Sequence, residues 1–314
     1  MTAPLQPMSL GGILDRAIQL LRARFPLFIG IALLPGLVEL ASQLAAVYPK
    51  MYAASFDTHI ALVLAGYLAE IVFAVANMVL QAIATAAICF ATSRINFGEE
   101  VTIHNAFGAF IPKVGRLVWL SILQALYAFW PFIIALVTST FFGLRGSPLM
   151  LIRMGTISVL SLIPCIALYV RYALAFPACA IENLSAHDAI KRSISLSKGN
   201  RWKICWGFLL PCVLSIGLNF GFVGLIRLLK VLSSLIAGSR MALAGLEGTG
   251  SLLVSLVFIP LSAIVLTLLY YDQRIRREGF DVEMMMDAAG LIAPATLPSE
   301  GNPATPKEKE EIQA

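Results

Sequence analysis

The sequence predicts an all-α integral membrane protein: six transmembrane helices, with short interfacial helices on one side. Three observations lead there. Of 314 residues, 59% are hydrophobic and 13% charged, whereas soluble domains carry about a quarter charged residues. Mean hydropathy is +0.84. Six separate stretches also reach the roughly 20 apolar residues needed to cross a hydrocarbon core of about 30 Å.

The elements follow in chain order. An amphipathic lead helix comes first, with Leu10, Ile13, Leu14, Ala17, Ile18 and Leu21 opposite Asp15, Arg16, Gln19 and Arg22. The spans then cover about 25–48, 60–91, 117–142, 151–181, 204–229 and 251–271. The second and fourth exceed a perpendicular crossing, so they are expected to tilt or to project into water. Residues 230–250 are fairly apolar and could make a partial seventh insertion. Residues 1–284 thus form one six-helix membrane domain. From 285 to 314 the chain lacks aromatics and is rich in Pro, Glu and Lys, which predicts a disordered cytoplasmic tail. No secretory signal peptide is expected, because the first long apolar run begins only near Phe25, after a charged lead.

Lys and Arg in the connections set the orientation. One side collects 14 of them and the other 6, with Arg171 inside a span and Lys307 and Lys309 in the tail. Both termini are therefore expected in the cytoplasm.

The cytoplasmic segments resemble one another. "EEVTIHNAF" at 99–107 aligns without gaps to "ENLSAHDAI" at 182–190, and the lead matches more loosely. "LLP" at 33–35 recurs at 209–211, and "WP" at 130–131 takes a similar place. The unit suggested is an interfacial helix, a span going out and a span returning, made three times. In two copies a hydroxyl stands where it can cap the first turn: Thr102 before Asn105, and Ser185 before Asp188. Gly199 should end the helix that Ser185 starts, as a left-handed residue. Its apolar face (Ala186, Ala189, Ile190, Ile194) is expected to meet acyl chains, and its cations lipid phosphates. The candidates for headgroup contact are Lys191, Arg192, Lys198, Arg201, Trp202, Lys203, Arg274, Arg276 and Arg277.

Ionisable groups inside spans are costly and mark candidate functional sites. Glu39 and Glu70 lie in the first two spans and could meet, sharing a proton or a cation. Hydrogen bonds to Gln43 or Asn77 would instead make them structural. Arg171 could pair with Asp272 or snorkel toward headgroups. His104 and His187 occupy equivalent first-turn positions, with no acidic cluster or HExxH beside them, so no metal and no cofactor are expected. Five cysteines in or beside apolar runs, none in a CxxC pair, read as packing residues. No GxSxG, phosphate-cradling GxxxxGK[ST] or GxGxxG occurs, and no basic domain offers a nucleic-acid surface.

Three stretches carry a family resemblance: "LGGILDRAIQLLRARFPLFIGIALLP", "LSAHDAIKRSISLSKGNRWKICW" and "LLYYDQRIRREGFDVE" at 268–283. They resemble the bacterial glycerophosphoryl diester phosphodiesterase membrane-domain family, the last being the most specific. The resemblance implies a six-helix domain of a bacterial inner membrane, fused in some members to a soluble phosphodiesterase barrel. A barrel of that kind takes about 250 residues, and no such segment remains outside the spans, so no catalytic residues carry over. The expected function is non-enzymatic: organising membrane lipid, or a membrane or cytoplasmic protein partner, through the basic interfacial helices. The rivals are a transporter or channel using Glu39 and Glu70, and an enzyme acting on lipid headgroups.

Overall fold

The computed structural model describes residues 8–45, 56–143, 150–232 and 240–279. These contain helices and no strand. In chain order they are α1 (Leu10–Ala23), α2 (Phe25–Ala45), α3 (Phe56–Asn96), α4 (Ile103–Gly108), α5 (Val114–Gly143), α6 (Met150–Tyr172), α7 (Ala175–Ile181), α8 (Ala186–Ser197), α9 (Arg201–Leu232) and α10 (Arg240–Glu278). A 3-10 turn, Ile111–Lys113, joins α4 to α5. Six stretches are long and apolar enough to cross a membrane: Phe25–Ala45, Ala65–Asn96, Ile103–Ile134, Val159–Ile181, Arg201–Leu228 and Gly245–Glu278.

The threefold unit is visible in how its helices start. Ser9, Thr102 and Ser185 each stand before a short helix, and each side-chain oxygen accepts from an amide three residues on. The partners are Gly12 at 3.1 Å, Asn105 at 3.3 Å and Asp188 at 3.3 Å. One hydroxyl thus satisfies one of the orphan N–H groups of each first turn. Every outgoing span also contains a proline: Pro35, Pro131 and Pro211. Pro35 lies as far beyond Ser9 as Pro211 lies beyond Ser185. Within each unit the outgoing and returning spans pack as a pair (α2 on α3, α5 on α6, α9 on α10), and α10 also closes against α2 and α3.

The core lies along α3 and α10. Small residues of α3 (Ala84, Ala86, Ala87, Cys89) are fully buried, as are Ile264, Val265, Leu269 and Tyr270 of α10. Small side chains let membrane helices approach closely, which is where packing energy comes from when lipid removes the hydrophobic drive. One close approach is at Gly250 of α10, where an added Cβ would run into the Phe222 ring on α9.

Two expectations are revised and one is kept. The fourth span is broken: α6 ends at Tyr172, and Ala173 and Leu174 turn the chain into α7. The second span does project, since 41 residues of continuous α3 reach about 60 Å, twice a hydrocarbon core of about 30 Å. Residues from Arg240 onward make no separate insertion. They are the first turns of α10, a single helix of 39 residues. The stretch 233–239 and the tail from 285 lie outside the described residues.

The interfacial helices are also seated differently from expectation. In α8, Ala186, Ala189, Ile190, Ser193 and Leu196 are buried against protein, and in α1 Ile13, Ala17, Leu20 and Leu21 are. The apolar stripes therefore face the bundle rather than acyl chains. An amphipathic pattern measures only how much apolar surface must be covered, and neighbouring helices cover it here.

Candidate functional site

The last turns of α10 hold the basic end of the bundle together. Asp272 is completely buried. Its carboxylate accepts from the Lys203 ammonium at 2.6 Å, from Arg276 Nε at 3.0 Å, from the Met8 amide at 3.0 Å and from Gln273 Nε2 at 3.1 Å. A buried charge persists only where partners and hydrogen bonds fill its lone pairs, and these four do so. Around it Tyr271 meets Ser93 of α3 at 2.6 Å, and Tyr270 donates to Glu182. Arg192 of α8 bonds Glu182 at 2.9 Å and also grips Glu278. The Glu278 carboxylate, first, and Glu182 hold the Arg192 guanidinium above its ordinary range, against the opposing effect of burial. Arg277 donates to the carbonyls of Ser195 and Lys198. It thereby supplies the cation that the end of α8 lacks in its own last turn. Gly199 follows at φ +88°, the left-handed stop expected.

This arrangement divides the headgroup candidates. Lys191, Lys198, Arg201 and Trp202 are exposed. Arg192, Lys203, Arg274, Arg276 and Arg277 spend their donors on the protein itself. Arg171 is not among the partners of Asp272. Its carbonyl accepts from Ser193 at 2.9 Å, its guanidinium lies over the Tyr172 ring, and its Nε is buried without a hydrogen-bond partner among the described residues. Lys203 and Arg276 already occupy the Asp272 carboxylate, which was one of the two destinations expected for Arg171.

Between the spans lies a cleft of about 490 Å³, bounded by α3, α5, α6, α7, α9 and α10. Its walls are mostly apolar, among them Met78, Phe176, Phe208, Phe258 and Leu266, interleaved with Gln81, Thr85, Ser121, Tyr169, Ser215, Asn219 and Ser262. From Phe208 to Asn219 it runs about 17 Å along α9, close to the roughly 15 Å depth of one leaflet's hydrocarbon. Ile216 lines it and is itself 56% exposed, so the cleft opens sideways.

A second cavity of about 340 Å³ adjoins it, lined by Glu39, Ser42, Phe73, Ala74, Asn77, Met78 and Gln81. Met78 and Gln81 are walls of both, at the end of the cleft away from the basic face. Glu39 accepts from Asn77 Nδ2 at 2.8 Å and from Gln43 Nε2 at 3.3 Å, and Gln43 also bonds Ser251 at 3.2 Å. Glu70 does not line this cavity. It stands two turns earlier on α3, about 10 Å along the helix, and is exposed. The pairing of the two glutamates is replaced by a pairing of Glu39 with Asn77.

Glu182, Glu278 and the Met8 backbone were not foreseen in the basic end, because their partners are remote in sequence. Gln81 and Thr85 were also missed. They repeat Asn77 at spacings of four and so mark one face of α3, a signal present in the sequence.

Residues 144–283 match the family model for the membrane domain of glycerophosphoryl diester phosphodiesterase. The matched stretch takes in α6 to α10 and contains both the α8 motif and the motif at the end of α10. No curated protein and no solved structure matches the chain. With six apolar spans and this match, the chain is a multi-pass membrane protein.

Proposed function

We propose that the protein holds one amphiphilic molecule drawn sideways from the bilayer, without catalysing its conversion, while its basic end sits against anionic headgroups in the cytoplasm of a bacterium. The lateral cleft is the observation that carries this reading. It has one leaflet's depth, apolar walls and an opening beside Ile216. Neutral hydroxyl and amide groups along it suit a ligand with some polar substituents, as small-molecule sites generally do. Lys191, Lys198, Arg201 and Trp202 form the exposed rim, and each cation near an anionic surface contributes about 1 kcal/mol. The ion pairs beneath them fix the helices that present this rim.

The test is mass spectrometry of lipids retained by the full chain, purified in native lipid, beside a Ser215→Trp variant that fills the cleft. Wild type should retain a defined lipid or lipid-like species that the variant loses, with helicity and elution volume unchanged. Identical lipid profiles would sink the reading. Transport of a small solute is the second reading, favoured by Glu39 facing a cavity rather than helix backbone. Solute flux in liposomes that vanishes in Glu39→Gln would put it first.

A further inference from the structure

We infer that the amphiphile is held by a protonated amine at Glu39 and Asn77, with its apolar chain lying in the cleft toward the basic end. This rests on the cleft being a binding site and names the chemistry of its ligand. The two cavities share Met78 and Gln81 as walls, so a chamber bearing the Glu39 carboxylate lies directly beside a long, mostly apolar trough. That is the outline of a head and a tail.

The charge of the chamber selects the head. A carboxylate offers about four lone-pair sites, and Glu39 receives two hydrogen bonds among the described residues, from Asn77 and Gln43. Asn77 donates one amide N–H to Glu39, and Asn77 Oδ1 is buried without a partner among the described residues. The chamber therefore holds a carboxylate's charge and an unpartnered carbonyl oxygen, beside the neutral Ser42 hydroxyl and Gln81 amide. Among the described residues, no Lys, Arg or His lines either cavity. A phosphate or carboxylate head would meet Glu39 with nothing to neutralise it. An ammonium brings three N–H donors and the opposite charge, and in low dielectric that complementarity is strong. A hydroxyl head could donate once but would leave the carboxylate's charge uncompensated.

The experiment is native mass spectrometry of the full chain in neutral detergent with three probes of equal chain length: oleylamine, oleyl alcohol and oleic acid. Oleylamine should bind at least about tenfold more tightly than oleyl alcohol, and oleic acid least. Glu39→Gln should erase the amine preference, weakening amine binding far more than alcohol binding, and Glu39→Asp should retain it. Melting temperatures of both variants establish that they are folded. Equal binding of amine and alcohol by wild type, with Ser215→Trp weakening both, would overturn the amine head and spare the cleft. Probe binding that Ser215→Trp leaves untouched would overturn the cleft itself. Phosphatidylethanolamine against phosphatidylcholine tells the source of the ammonium. Preference for the former assigns it to a phospholipid, and oleylamine binding alone assigns it to a single-chain amine.

Discussion

The Asp272 carboxylate, completely buried near the end of α10, lies 2.6 Å from the Lys203 ammonium at the start of α9. Removing the carboxylate takes the counter-charge from that ammonium, leaving it the Met8 carbonyl, and withdraws the acceptor of the Met8 amide. Asp272→Ala should therefore cost about 3–5 kcal/mol, the range for breaking a buried pair. Lys203→Met should cost less, since Arg276 still reaches the carboxylate at 3.0 Å. Denaturant titration in detergent ranks the two, and the reverse order would refute this account of the carboxylate.

Two neighbouring cations of α8 should behave differently. Lys191 is exposed, and its replacement by Gln should change stability by no more than about 0.5 kcal/mol. Arg192 bridges Glu182 and Glu278. Arg192→Gln leaves both carboxylates to Arg274, at 3.8 Å from Glu182 and 3.4 Å from Glu278, and should lower the melting temperature clearly. Scanning fluorimetry of the two single variants makes the comparison, and equal melting temperatures would contradict it.

Capping is testable at Ser185, whose Oγ accepts from the Asp188 amide and donates to the Asp188 carboxylate at 2.6 Å. Ser185→Ala should cost about 1 kcal/mol, and Ser185→Asn much less. Hydrogen exchange should show faster protection loss confined to the first turn of α8.

At Gly250 the neighbour is a flexible ring rather than backbone. Gly250→Ala should force Phe222 aside and loosen α9 from α10, with a penalty of about 1–3 kcal/mol for overpacking. Phe222→Ala introduced alongside should recover much of it. Additive losses in the double-mutant cycle would show that the two residues do not couple.

Cysteines placed at Lys198 and Arg201 report sidedness. In right-side-out bacterial cells neither should react with an impermeant maleimide until the cells are opened. The native cysteines form no disulfide and are buried or half-buried. Labelling of intact cells would invert the orientation proposed for the basic end.

Six spans could be read from the sequence because hydropathy measures the solvent a segment needs, and that demand is local. The caps at Thr102 and Ser185 and the stop at Gly199 were equally local, each resting on a residue's own backbone or hydroxyl. The lead helix was read from Leu10 onward by its apolar stripe, and the cap at Ser9 in front of it was not named. The break at Ala173 and Leu174 was hidden by its own composition, since both residues are apolar and extend the run. Where the cations of α8 and α10 point was beyond local reading. Lys203 and Asp272 stand 69 positions apart, and Arg192 and Glu278 stand 86. The cleft was beyond it too, since a gap between helices leaves no mark on the hydropathy of any one of them. Gln43 and Asn77 were named as partners for the glutamates, and Glu39 has both.

The bond from the Met8 amide to Asp272 joins residues 264 positions apart. During synthesis α1 emerges first, yet the carboxylate that receives it leaves the ribosome only after almost every span has been made. Until then α1 has neither that acceptor nor the faces of α9 and α10 on which it packs. The helix must wait at the membrane surface, its apolar stripe uncovered, while the bundle is threaded beside it. Its docking is the closing event of assembly, and a chain cut short before α10 would leave its own beginning unfastened.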